Sequence, residues 1–271
     1  MTMPSRRFVA GGALAAIAAI LVGCRFPAEN AAAEADPLPA RVAPHPIWIA
    51  NHTGGQSLTS DLAAANALEL LAVLPVHDAA EDTPFDPAAF GPLWSDDVTV
   101  AGGHNGCDTR NDILRRDLRD LVTEPGSNGC EVLSGVLHDP YTGTDIPALR
   151  STAPTPETTT VSVDHVVALA DAWRKGAQAL SAEERRNFAN DPRNLLTVST
   201  AANRDKGDND AARWLPPNPL FRCSLVITQV EVKSAYRLWV TGPERDAMRG
   251  VLTDCGSTRA TTSTSTSKRP A

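Results

Sequence analysis

The amino-acid sequence predicts an α+β fold, with helices and short strands interleaved along one domain covering about residues 58–255. Three observations carry this reading. Apolar residues recur at helical spacing in some segments, as at Leu62, Ala65, Leu68 and Leu71, whereas others are short β-branched runs, as at 158–163. Four cysteines outside the N-terminal segment, Cys107, Cys130, Cys223 and Cys255, are enough for two disulfide staples. A chain of 271 residues with 42% hydrophobic and 5% aromatic content can bury a sizeable core. That composition excludes collagen, a coiled-coil rod, a polytopic membrane protein and a fully disordered chain.

The elements follow in chain order. Ser60 is placed to cap an amphipathic helix over 60–73, and a Pro/Asp/Gly-rich loop runs over 75–106. Asp108 or Thr109 then caps a helix whose inner side is Ile113, Leu114, Leu118 and Leu121. Residues 130–137 read as a strand, 138–143 as a turn, and 158–163 as a second strand ending at Asp164-His165. Helices are expected over 168–179 and 182–189, a short strand over 195–198 and a helix over 200–206. Leu225, Gln229, Val232, Tyr236 and Trp239 keep helical spacing. Pro243 opens a last helix, with Met248, Val251 and Leu252 inward and Cys255 at its end.

The two ends speak to the compartment. Arg6 and Arg7 precede an apolar run over 8–22, shorter than a spanning helix and rich in small residues, as in a cleaved export signal. The run ends in Leu21-Val22-Gly23-Cys24, which resembles a bacterial lipobox. That resemblance implies lipidation of Cys24 and a membrane anchor on the outer face of the cell; an ordinary secretory signal is the alternative. Residues 24–57 read as an Ala/Pro-rich tether and 256–271 as a disordered Thr/Ser-rich tail. In an exported chain the remaining cysteines favour disulfides. Cys107–Cys130 and Cys223–Cys255 each close a local loop, although three connectivities are open. A structural zinc site competes, without any CxxC spacing to support it.

Three polar groups stand out: Asp164-His165 at a strand end, Asn194 before a short strand, and Asn203-Arg204-Asp205-Lys206-Gly207-Asp208 on the next helix. In that order they resemble the HNH endonucleases, whose core is the ββα-metal, or His-Me finger, unit. The wider string includes Gly106 to Asp112, Asp139-Pro140-Tyr141-Thr142-Gly143, Val163 to Leu169, Phe188-Ala189-Asn190-Asp191-Pro192 and Trp214-Leu215-Pro216-Pro217. It is similar to an exported bacterial branch related to the C-terminal domain of GmrSD restriction endonucleases, across about residues 73–255. Ala168 departs from the pattern, which usually has Pro there.

The resemblance implies a ββα-metal core with additional helices and a site of defined roles. His165 is the expected general base, since an imidazole titrates near neutrality. Asp164 and Asn203 are the expected ligands of Mg²⁺ or Mn²⁺, being hard oxygen donors, and the metal would neutralise charge at the scissile phosphate. Asn194 is expected to tie the loop that aims His165. Arg110, Arg204 and Lys206 are candidate phosphate contacts. The expected activity is metal-dependent hydrolysis of DNA, with RNA as a second substrate, at low sequence specificity. A catalytically inactive surface lipoprotein that binds a partner or polymer is the rival. No Gly-x-Ser-x-Gly elbow, Walker loop or HExxH motif supports another hydrolase class.

Charge bears on this. The formal net charge of −7 argues against nucleic-acid binding when taken whole. Residues 29–99, however, hold 11 acidic groups against Arg41 alone, while residues 100–271 carry 21 of each sign. The acidity sits outside the expected catalytic region, which is neutral. Modest, salt-sensitive affinity is therefore expected.

Overall fold

A computed structural model gives the fold of residues 56–80, 82, 84–150 and 160–257. The expected signal, the Cys24 lipidation site, and nearly all of the tether and tail lie outside these residues. Seven α-helices and five strands are described: α1 (Gln56–Val73), α2 (Thr109–Asp117), β1 (Leu118–Thr123), β2 (Val132–His138), β3 (Asp145–Leu149), β4 (Val161–His165), α3 (Leu169–Arg174), α4 (Ala182–Asn190), β5 (Leu195–Ser199), α5 (Thr200–Lys206), α6 (Arg222–Ala235) and α7 (Gly242–Ser257). The strands form an antiparallel sheet in the order β1-β2-β3 and a separate antiparallel pair, β4-β5.

Helix α6 is the organising element. Leu225, Val226, Ile227, Val230 and Val232 are all buried, and so are Thr228, Gln229 and Lys233, so the helix is enclosed by its neighbours on most sides. Val226, Ile227 and Val230 meet α1 and α7 through Ala64, Ala67, Leu71, Met248 and Leu252. Val232 turns to α3 and α4 with Phe188 and Ala172. Leu225 reaches the β4-β5 pair through Leu196 and Val198. Each large side chain buried this way contributes about 1.5–3 kcal/mol. A further cluster sets α2 on both sheets, with Ile113, Leu114, Val132, Ala148, Val161, Val163 and Leu195.

Charges also cross the core. Lys175 Nζ lies 2.7 Å from Asp210 and from Glu244, and Lys233 Nζ lies 3.0 Å from Asp171 and 2.9 Å from Glu244. Burial works against the Lys175 ammonium, but Asp171 and Glu244 more than offset it and its pKa is raised. This network joins α3, α6 and α7. The disulfides are Cys107–Cys130 and Cys223–Cys255, the second tying the start of α6 to the end of α7. Each stabilises by about 3 kcal/mol in the loop-entropy account.

Several expectations are corrected. Leu118 and Leu121 belong to β1 and not to the α2 helix. Leu118 leaves helical geometry (φ −89°, ψ 141°), and pairing with β2 overrides the i, i+4 match to Leu114. Strand β3 was not anticipated because Pro147 lies inside it; the strand is at the sheet edge, where a missing N–H is tolerated. In α1 the inward stripe is Ala64, Ala67 and Leu71, while Leu62 is 65% exposed. An Ala-rich helix offers several apolar stripes, and the smallest one lets α6 and α7 approach closely. The expected helix over 168–179 breaks at Gly176, whose φ of +120° suits glycine and whose missing Cβ leaves room for the Trp239 ring. Trp239 lies beyond α6, which stops at Ala235.

Candidate active site around His165

The β4-β5 pair followed by α5 carries the residues of interest. His165 pairs with Leu195 and Asp164 with Leu196. Successive strand residues face opposite sides of a sheet, and the contacts agree. Asp164 faces α5, and the His165 ring faces the loop that bears Trp94.

On the α5 side, Lys206 Nζ lies 2.9 Å from Asp164 Oδ2 and 3.1 Å from Oδ1, and it donates to the main-chain carbonyl of His165 at 2.8 Å. Lys206 is fully enclosed and Asp164 is buried. The Tyr141 hydroxyl donates to Asp164 Oδ2 at 2.6 Å. Burial first, and Asp164 second, push the Tyr141 phenol well above its ordinary range, so it stays a donor. Tyr141 comes from the 138–143 turn, where buried Asp139 accepts from Tyr141 N, Thr142 Oγ1 and Ser199 N. The turn is thereby fixed to the start of α5. Asn203 is half-buried and its amide donates to Ser162 Oγ at 3.0 Å.

On the other side, His165 Nε2 meets the carbonyl of Ala189 at 2.8 Å. The imidazole stacks on Trp94 with ring centroids 5.9 Å apart and planes 10° apart. Burial lowers the His165 pKa; the Ala189 carbonyl and Asp164 oppose that shift, and Lys206 adds to it. Asn194 is fully buried. Its Oδ1 accepts from Val167 N at 2.8 Å, and its Nδ2 donates to the carbonyls of Val167 and Phe188. The stretch after His165 is thus joined to the turn after α4. Asp191 holds that turn through Arg193 and the Tyr236 hydroxyl.

The structure therefore brings Asp164, Asn203 and Lys206 to one face of the strand pair and sets the His165 ring on the other. Arg204 is exposed on α5. Arg110 is half-buried in the first turn of α2, where burial lowers its pKa, Asp108 opposes and Arg150 adds to the lowering. The expectation that Lys206 touches a substrate phosphate is corrected, because its ammonium is spent inside on Asp164 and the His165 carbonyl. Trp94, Tyr141 and the Ala189 carbonyl were not anticipated as site groups. Tyr141 had a signal in the Asp-Pro-Tyr-Thr-Gly turn; Trp94 sits in an aperiodic loop and had none.

The chain matches the model of the GmrSD restriction endonucleases, C-terminal domain, over residues 108–251. It belongs to that family. The GmrSD C-terminal-domain match begins at the cap of α2 and ends within α7, so it takes in all of the site except Trp94. It relates the chain to the endonucleases. The chain is also similar to an "Uncharacterized secreted protein" of Arthroderma benhamiae, 32% identical over 194 residues, which cover 71% of this chain and 86% of that protein. No solved structure matches the chain.

Proposed function

We propose that this protein hydrolyses phosphodiester bonds in nucleic acid, with His165 as general base and DNA as the first substrate. The observation that carries the reading is the contact between His165 Nε2 and the Ala189 carbonyl. A carbonyl oxygen only accepts, so Nε2 carries the proton and the neutral ring keeps its lone pair on Nδ1. Among the described residues Nδ1 has no hydrogen-bond partner. The lowered pKa keeps the ring neutral at physiological pH, in the form that takes a proton from water attacking phosphorus.

The surroundings hold that base still. Lys206 grips the His165 carbonyl, and Asn194 clamps Val167 two residues on. Arg204, exposed on α5, and Arg110, at the start of α2, are the groups proposed to take flanking phosphates, by charge-assisted and bidentate bonds. A neutral catalytic half implies weak, salt-dependent binding.

The expected Mg²⁺ or Mn²⁺ does not fit its expected ligands as they are arranged. Asp164 already faces an ammonium within 3.1 Å through both oxygens and also accepts a hydrogen bond from the Tyr141 hydroxyl. Asn203 turns its amide to Ser162. A second cation beside Lys206 would be repelled at close range and low dielectric.

Export is part of the reading. Two disulfides suit an oxidising compartment, and the Arthroderma benhamiae relative is named as a secreted protein. Among the described residues no helix is long and apolar enough to cross a membrane. The Cys24 lipid anchor belongs to the same proposal, and mass spectrometry of the mature N-terminus tests it. Incubation of the protein with supercoiled plasmid tests the activity: nicked and linear products are expected, and unchanged plasmid at high enzyme concentration overturns the reading.

A further inference from the structure

We propose that Trp94 is a positioning residue that fixes the plane of the His165 imidazole, so that the base is aimed before substrate arrives. This rests on the reading of His165 as the base.

A hydrogen bond from Nε2 to one carbonyl sets where that nitrogen points but leaves the ring free to swivel about the N–H···O line. A flat ring laid against the imidazole removes that freedom. Trp94 supplies it, with planes 10° apart and centroids 5.9 Å apart. The two constraints act on different degrees of freedom, and together they define where Nδ1 faces.

The backbone shows that Trp94 is held there. Its φ of 57° lies in the left-handed region, which a bulky side chain occupies only where its surroundings impose it. Those surroundings are visible. The Trp94 carbonyl accepts from Thr109 N at 3.2 Å, and the Ser95 carbonyl accepts from Thr109 Oγ1 at 2.9 Å. Thr109 is buried and opens α2, beside the Cys107–Cys130 bridge. Farther along the loop, Asp96 accepts from Asn105 N and Gly106 N. Thr99 is clamped by Asn187, which lies on α4 two residues before Ala189. Helix α4 therefore anchors both the carbonyl that holds Nε2 and the loop that carries the stacking ring. Local bonds maintain that strain at a ring that packs on the Ile113 and Leu195 cluster on one hand and, alone among the aromatic rings of the described residues, stacks on His165 on the other, which marks a positioned group.

The test compares full-length Trp94→Gly and Trp94→Phe with wild type. Glycine accepts the left-handed backbone without steric strain but also loses the packing of the ring on the Ile113 and Leu195 cluster, so thermal midpoints are measured alongside; phenylalanine keeps a flat ring. Trp94→Gly is expected to lower kcat for plasmid cleavage about tenfold to a hundredfold, the size of effect that misplacing a reacting group produces, with KM changed within about twofold. Trp94→Phe is expected to restore most of kcat. The side-chain ¹⁵N resonances of His165, assigned by difference against His165→Ala, read the ring directly and need no turnover. In Trp94→Gly they should broaden or shift towards a mixture of tautomers. Unchanged kcat and unchanged His165 resonances in Trp94→Gly would overturn the proposal. So would equal impairment of both variants in step with a lost thermal midpoint. If wild type cleaves nothing yet the resonances respond as described, the reading of the activity fails and the positioning role stands.

Discussion

Lys206 and Asp164 form an ion pair at 2.9 Å with no solvent around the ammonium, and the same ammonium donates to the carbonyl of His165. A charge pair thus sits beneath the proposed base and fixes the end of the strand that carries it.

Asp164→Asn should therefore behave as a core lesion. Removing one partner of a buried pair leaves the other charge uncompensated, which costs about 3–5 kcal/mol. Urea denaturation of the variant against wild type measures this. Added Mg²⁺ or Mn²⁺ should leave the stability of wild type unchanged; stabilisation of wild type by millimolar Mg²⁺ that is lost in Asp164→Asn would mean that Asp164 serves a cation after all.

Both tyrosines of the chain should resist ionisation. Burial, then Asp164, raises Tyr141 well above the ordinary value of 10.0; burial, then Asp191, raises Tyr236. Because the folded values exceed the unfolded one, their contribution to stability is fully present below pH 10 and is lost as pH rises above it. Absorbance titration should show little tyrosinate until the protein unfolds. Tyr141→Phe should lose about 1.5–3 kcal/mol, the range for a hydrogen bond to a charged group.

The acid limb of the pH–rate profile should fall below the ordinary imidazole value of 6.5, because burial lowers the His165 pKa in the folded protein. The linked stability has the opposite sign to the tyrosine case: it is present above pH 6.5 and is lost as pH falls towards the depressed folded value. Initial rates and thermal midpoints across pH 5–8 check both.

The network of Lys175, Lys233, Asp171, Asp210 and Glu244 should be intolerant of single changes. Lys233→Met leaves Asp171 and Glu244 short of a counter-charge at about 3–5 kcal/mol. A loss under 1 kcal/mol in denaturant titration would show that water reaches the network.

Much of this architecture is legible in the chain itself. Helix α5 spans Thr200–Lys206 as expected, and α4 forms over the expected stretch, started by the capping box of Ser181 and Glu184. Asp164-His165 does end a strand. The rest depends on contacts across long sequence separations. Leu118 is as good a helix residue as a strand residue until β2 is beside it. Lys206 reads as a solvated cation because Asp164 is distant in sequence, and only the β4-α5 packing encloses the two together. The stack of Trp94 on His165 needs a left-handed backbone that no residue pattern announces. Pairing and burial, which are properties of the assembled fold, decided these positions.

The most direct test of the central claim is the initial rate of plasmid nicking by His165→Ala against wild type, with thermal midpoints measured in parallel. Loss of a general base predicts a fall of about 10²–10⁴-fold with the fold intact. A folded His165→Ala variant that nicks at the wild-type rate would contradict it.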